Sequence, residues 1–153
     1  MAGFSISIDD SQVKALMRKW TPEQVQRRSV RAMNESLAYL RMLIVESAPV
    51  GVTGHLRGSV FTSIRGKPTD LRGIVASPLE YAIIVERGRK PGRFPPRAPI
   101  ELWARRVLGD ASLWFVVARA IARRGIAGKH IFEQAAQKGE GTVKRIWRKH
   151  FSA

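Results

Sequence analysis

A long amphipathic helix, with its start and stop written into the sequence, constrains this chain more than any other feature. Thr21-Pro22-Glu23-Gln24 presents the residues of a helix N-terminus in order. Thr is a good N-cap, Pro fits the first helical position, Glu favours the positive helix end, and Gln24 completes a capping box with Thr21. Val30, Met33, Leu37, Leu40 and Ile44 then fall three and four apart, on one stripe. Pro49 stops the helix near Ser47, because a residue before Pro avoids the helical region. At about 27 residues and 1.5 Å each, the element is about 40 Å long. That is unusually long for a chain of 153 residues.

The remaining elements are shorter. Phe4, Ile6 and Ile8 alternate with serines as a strand does, and Asp10 or Ser11 can cap a short helix over Gln12–Lys19. Residues 60–76 read as an antiparallel hairpin whose polar tip, Gly66–Asp70, reaches away from the body. Tyr81–Glu86 reads as a short helical turn running into strand-like structure. Arg87–Arg97 holds five basic residues, three prolines and no acid, which predicts an exposed basic loop. Helices are expected over Ile100–Leu108, Ala111–Arg124 and Lys129–His150, the last kinked or broken at Gly139 and Gly141. Together these predict a single α+β domain over residues 1–153. It has a small antiparallel sheet with a protruding hairpin, packed against one long helix and C-terminal helices.

Charge narrows the partners. Lys and Arg total 27 against 12 acids, a net charge of +15, and 19 of the 27 are Arg. Such a surplus repels itself unless a polyanion or an acidic partner is near. Arginine suits bidentate contacts to phosphate. The basic stretches match no sequence-reading fold, so any contact with DNA is expected at phosphates and without sequence preference. The chain has no cysteine, which excludes disulfides and Cys-ligated metal or iron–sulfur sites. It has no run of 18 apolar residues, and Met1–Asp10 lacks the basic and apolar regions of a signal peptide, so no membrane partner is expected.

Little in the sequence suggests catalysis. His55, His130 and His150 sit in separate segments, without metal-ligand spacing. His55, Ser59 and Glu86 could be drawn as a triad, but no nucleophile elbow accompanies them. Gly51-Val52-Thr53-Gly54 lacks the Gly-Lys-Ser/Thr end of a phosphate loop and reads as a turn after a helix. Trp20, Trp103, Trp114 and Trp147 read as packing residues. No catalytic residue, metal or cofactor is expected.

Three segments carry a resemblance. The first is Ala-Pro-x-x-x-Thr-Gly-x-Leu-Arg-x-Ser at Ala48–Ser59, with Pro49, Thr53, Gly54, Leu56 and Arg57. The second is Tyr-Ala-x-x-Val-Glu-x-Gly, with Tyr81, Glu86 and Gly88. The third is Gly125–Ala135, in which Phe132 is the aromatic that seats a helix on the sheet. In this order they resemble the neck and tail-completion proteins of long-tailed double-stranded DNA bacteriophages, the minor-tail-protein-Z type. The likeness runs from about Val25 to about Gln137. Lys129-His130 and Gln134 depart from it where the family commonly has proline.

The resemblance implies a structural virion protein, assembled in the host bacterial cytoplasm. It would form a homo-oligomeric ring, hexamer or dodecamer, around the DNA channel between connector and tail tube. That ring completes the tail and joins it to the head. The partners implied are other copies, neighbouring neck, connector and tail-tube proteins, and the DNA in the lumen. Arg65, Lys67, Arg87, Arg89, Lys90, Arg93 and Arg97 are the expected contacts to DNA or to adjoining subunits. Two alternatives stay open: a tail terminator capping the tube, and a sequence-independent nucleic-acid-binding protein.

Overall fold

In the computed structural model, which describes residues 2–5, 20–51, 53–67 and 70–152, the long helix is α1, Pro22–Ser47. Its capping box is closed. Gln24 N donates to Thr21 Oγ1 at 3.3 Å, and Thr21 N donates to Gln24 Oε1 at 3.0 Å. Met33, Leu37, Leu40 and Ile44 are buried along one side of α1, as the spacing predicts.

The sheet packs on that side. Strands β1 (Ala2–Ser5), β2 (Phe61–Lys67) and β3 (Asp70–Ser77) are antiparallel, in the order β1-β3-β2. The hairpin register runs from Phe61 opposite Ala76 to Lys67 opposite Asp70. Phe4 falls in β1. Ile6, Ile8, the helix expected over Gln12–Lys19, and the tip residues Pro68 and Thr69 lie outside the described residues. Gly73 lets α1 close on β3, because a Cβ there would sit 2.5 Å from Met33 Sδ and 2.9 Å from Leu37 Cδ2. Val75, Leu56, Val60, Ile131, Phe132 and Val143 complete the core around the α1 stripe.

The last helix, Ile131–Phe151, lies along α1 and is here called α6. It runs unbroken through Gly139 and Gly141, contrary to the expected kink. Gly139 is a contact residue: a Cβ there would meet Leu40 Cδ2 at 2.5 Å, so the missing side chain brings the two helices together. Packing of this long apolar face outweighs the low helix propensity of two glycines, about 1 kcal/mol each.

Polar contacts tie the C-terminal end of α6 back to α1. Arg28 Nη1 donates to His150 O at 2.6 Å, and Glu35 meets His150 Nε2 at 2.7 Å and Lys149 Nζ at 3.2 Å. The His150 bond, followed by the Lys149 bond, holds the Glu35 carboxyl below the ordinary carboxylate range. A depressed carboxyl contributes stability above its unfolded pKa and loses it as pH falls through the folded one. The Glu35 carbon resonance in NMR is therefore expected to titrate below about 4.3, the free Glu value. His150→Ala should raise that midpoint more than Lys149→Ala does.

Between sheet and α6 the chain forms a helical arm. Helix α3, Ala82–Arg87, leads into the two-residue strand β4, Gly88–Arg89, which pairs with β5, Ile126–Ala127. From this ladder the chain runs out through α4, Arg97–Trp103, which widens into a π turn at Ala104–Leu108. It turns at Gly109-Asp110 and returns through a 3₁₀ turn, Ala111–Leu113, and α5, Trp114–Arg124. Asp110 caps the return. Its Oδ1 accepts from Ser112 N at 2.8 Å, and that bond, with the Ser112 hydroxyl, lowers the Asp110 pKa.

The basic loop expected over Arg87–Arg97 is therefore shorter than the sequence suggested. Arg87 ends α3, Gly88 and Arg89 are in the ladder, and Arg97 begins α4. Backbone pairing with β5, far along the chain, overrides the Gly-rich composition at the first end, and the start of α4 takes up the other. The segment that remains is tethered, because Gly92 N donates to Ala122 O at 2.8 Å.

Candidate functional site

The first motif is a clasp at the C-terminal end of α1. Ala48 N closes the helix on Ile44 O at 2.8 Å, and Arg57 Nε donates to Ala48 O at 2.8 Å. Pro49 and Thr53 lie in the connecting turn, and Gly54 takes the left-handed conformation, φ 67°, that starts the next helix. That helix, α2 (His55–Ser59), stands between the turn and the hairpin and was not among the expected elements. Burial of Leu56 in the core favours it. The Ser59 hydroxyl bonds to Leu56 O at 2.8 Å and to Ser77 Oγ at 2.7 Å, joining α2 to the end of β3. Arg41 Nε donates to Val60 O at 2.8 Å and fixes the start of the hairpin on α1.

The second motif is a joint. Tyr81 precedes α3, Ala82 is buried beneath it, and Glu86 near its end is 1% exposed. The Glu86 carboxylate reaches across to the start of α6. Oε2 accepts from Phe132 N at 2.9 Å, and Oε1 accepts from Glu133 N at 3.1 Å. Backbone bonds run alongside, from Lys129 N to Val85 O at 2.7 Å and from His130 N to Glu86 O at 3.0 Å. His130 occupies the N-cap position with φ 49°, and its side chain makes no capping bond. Glu86 thus supplies the cap from 46 residues away, with its charge at the positive end of the helix dipole. Phe132, next along, is buried against the α1 stripe and Val75, where the resemblance expected an aromatic to seat the helix.

The cations chosen from sequence fall on two elements. Arg65 and Lys67 are exposed at the end of β2. Arg87, Lys90, Arg93 and Arg97 are exposed at the base of the arm, and Arg89 is half-buried there. Arg89 Nη2 donates to Arg93 O at 2.7 Å. Arg97 pairs with Glu101 at 3.0 Å and lies over the Trp114 ring at 4.8 Å. Arg89 and Arg97 therefore hold the arm together, while Arg65, Lys67, Arg87, Lys90 and Arg93 present charge outward.

Glu86, His130 and Glu133 place three potential metal-ligand atoms within 4.8 Å of one another. Both Glu86 oxygens already accept from α6 amides, and His130 Nδ1 lies 3.1 Å from Glu133 Oε2. The cluster is accounted for as a helix start. The Ser59 hydroxyl is engaged with Leu56 and Ser77, so the imagined triad of His55, Ser59 and Glu86 has its hydroxyl and its carboxylate committed elsewhere. The apolar cavity between α1, β3 and α6 is about 40 Å³. A small-molecule site needs roughly 300 Å³ or more.

Sequence reasoning missed the surface of the arm. Among the described residues, the arm fully buries only small apolar side chains in its two helical segments, Ala104 and Ala118. Leu102, Val107, Leu108, Leu113, Phe115 and Val116 are exposed, and Phe115 stacks on exposed Phe94 at 5.7 Å between centroids. A signal was present: Leu113-Trp114-Phe115-Val116-Val117 is apolar all round a helix, which leaves more than one face to bury.

No family model, curated protein or solved structure matches this chain. Among the described residues no helix is long and apolar enough to cross a membrane.

Proposed function

We propose that this chain is a structural subunit of the neck of a long-tailed double-stranded DNA bacteriophage. In this reading it forms a ring around the DNA channel, completes the tail and joins it to the head. One observation carries the reading. The segments that resemble the neck and tail-completion proteins serve here as the clasp and joint of the body, and they leave a basic hairpin and a basic arm projecting from it. Residues spent on scaffolding, with charge and apolar surface displayed outward, suit a component that acts by assembling. A ring lumen lined with Arg and Lys tolerates passing phosphates, and contacts without base readout do not hold DNA in one register.

The test is electron microscopy of lysates from phage lacking the gene. Filled heads beside separate tails of normal length are expected. Tails of irregular or excessive length would assign the chain to tail termination instead, and intact virions would overturn both readings. The charge is tested by substitution, because Arg89 and Gly92 help hold the arm together. Lys90→Ser with Arg93→Ser should leave the thermal midpoint near that of the parent and reduce infectious yield by about tenfold or more. An unchanged yield counts against a role for these cations.

A further inference from the structure

The arm carries apolar side chains at its outer end and cations closer to the body. The outer end is the start of α5, because the other end of that helix, at Gly125, leads straight into the ladder. Leu113, Phe115 and Val116 are exposed there. Exposed Phe94 stacks on Phe115, and the π turn that holds exposed Val107 and Leu108 packs on the 3₁₀ turn before α5. Soluble chains seldom leave a patch of this kind uncovered. Arg119 follows Phe115 by four residues and Val116 by three, and Arg123 follows Arg119 by four, so all four share one exposed face of α5.

We propose that this outer end docks onto an anionic lipid surface. Spacing along α5 suits that occupant. Val116 and Arg123 are seven residues, about 10 Å, apart along the axis. An interfacial element sinks its apolar part about 5–10 Å into the boundary between headgroups and acyl chains. With Val116 and its neighbours at that depth, Arg119 and Arg123 stand among the lipid phosphates. Charge agrees. From Gly88 to Gly128 the chain holds nine Arg or Lys and two acids. Glu101 pairs with Arg97 and Arg105 at 3.0 and 3.8 Å, and the Asp110 carboxylate accepts from Ser112.

Duplex DNA would take the cations but leave the apolar end uncovered. A second arm would cover the apolar end but set like charges together. An anionic lipid surface takes both features at once. The expectation of no membrane partner rested on the lack of a spanning or signal segment, and an interfacial contact needs neither. Docking of this kind does not depend on the neck reading. It is tested on purified protein and that reading in particles, so the two fail separately.

The protein should co-sediment with vesicles of phosphatidylcholine mixed with phosphatidylglycerol, and far less with pure phosphatidylcholine. Val107→Ser with Val116→Ser, at positions 55% and 64% exposed, should weaken vesicle binding about tenfold. Arg119→Gln with Arg123→Gln should weaken it about thirtyfold. Arg145→Gln with Arg148→Gln removes the same charge from exposed positions of α6 and should change it less than about threefold. The chain has no cysteine, so one introduced thiol takes a label alone. A nitrobenzoxadiazole label on Val116→Cys should shift its emission to the blue on the mixed vesicles, and a label on Lys138→Cys, exposed on α6, should not. Circular dichroism matching the parent establishes that each variant is folded. Failure to co-sediment with the mixed vesicles, or equal binding to both kinds, overturns the proposal. A loss from the α6 pair as large as from the α5 pair means attraction by net charge alone and overturns it. Co-sedimentation with the Val116→Cys label unshifted means that another surface binds and also overturns it. A blue shift that appears with rising protein concentration or with a short DNA duplex, and not with vesicles, assigns the face to a second copy or to nucleic acid and overturns it as well.

Discussion

Glu86→Ala is expected to lower the unfolding free energy by about 3 kcal/mol, measured by urea denaturation followed through far-ultraviolet circular dichroism. The carboxylate is 1% exposed, and its two oxygens take the amides of Phe132 and Glu133 at 2.9 and 3.1 Å. Truncation leaves the buried Phe132 amide without a partner, and the Glu133 amide without one at the partly exposed edge of the site. A buried unsatisfied donor costs about 1–3 kcal/mol, and the helix also loses a favourable charge at its positive end. Phe132 follows directly, so a frayed first turn of α6 loosens an aromatic of the core.

Glu86→Gln separates charge and cap from mere volume. Gln keeps the shape but has one acceptor oxygen, and its NH₂ faces the second amide as a donor. Stability should therefore fall in the order Glu, Gln, Ala. A Gln variant as stable as the parent would show that the second hydrogen bond contributes nothing.

How much of this joint was legible depended on distance along the chain. Both residues of the α1 capping box lie within one turn, so Thr21 and Gln24 announce each other in the sequence. Glu86 follows the apolar run Ala82–Val85, but its role could not be read, because the amides it caps are 46 and 47 residues away. The hairpin was legible because alternation and a turn cluster are local signals. Gly139 was misread for the opposite reason. Its local meaning is a weak helix, and only the approach of Leu40 from another element shows why the glycine suits the site.

The arm shows the same limit. Its helices were found, because their starts and stops are marked by Pro99, Gly109, Asp110 and Gly125. Its base was read as loop, because a ladder of two residues on each side carries no periodicity to detect. The π turn at Ala104–Leu108 is equally silent, as nothing in Ala-Arg-Arg-Val-Leu departs from ordinary helix composition. The contact cations were divided in the same way. Arg65, Lys67, Lys90 and Arg93 are exposed as composition suggested, whereas Arg89 and Arg97 are occupied by partners within the arm.

Gly88→Ala is expected to release the arm from the body at a cost of about 3 kcal/mol, the upper part of the range for one strained residue. Gly88 sits at φ 78°, ψ −173°, a region that only glycine occupies readily. A Cβ would lie 2.6 Å from Gly128 N and against Ile126 O, backbone atoms in and just past the facing strand, which cannot swing aside as a side chain can. Relief requires opening the ladder, and the ladder is the arm's main attachment, since α4 and α5 pack chiefly on each other. Hydrogen exchange should read this directly. The Gly92 amide, bonded to Ala122 O, and the amides of α5 should lose protection by about a hundredfold, as about 3 kcal/mol implies. The amides of α1 beside Leu37 and Leu40 should change little, because that core does not depend on the ladder. Protection lost equally in α1 and α5 would mean that arm and body unfold as one unit. Unchanged protection in both would mean that the strand pair bends to accept a methyl group.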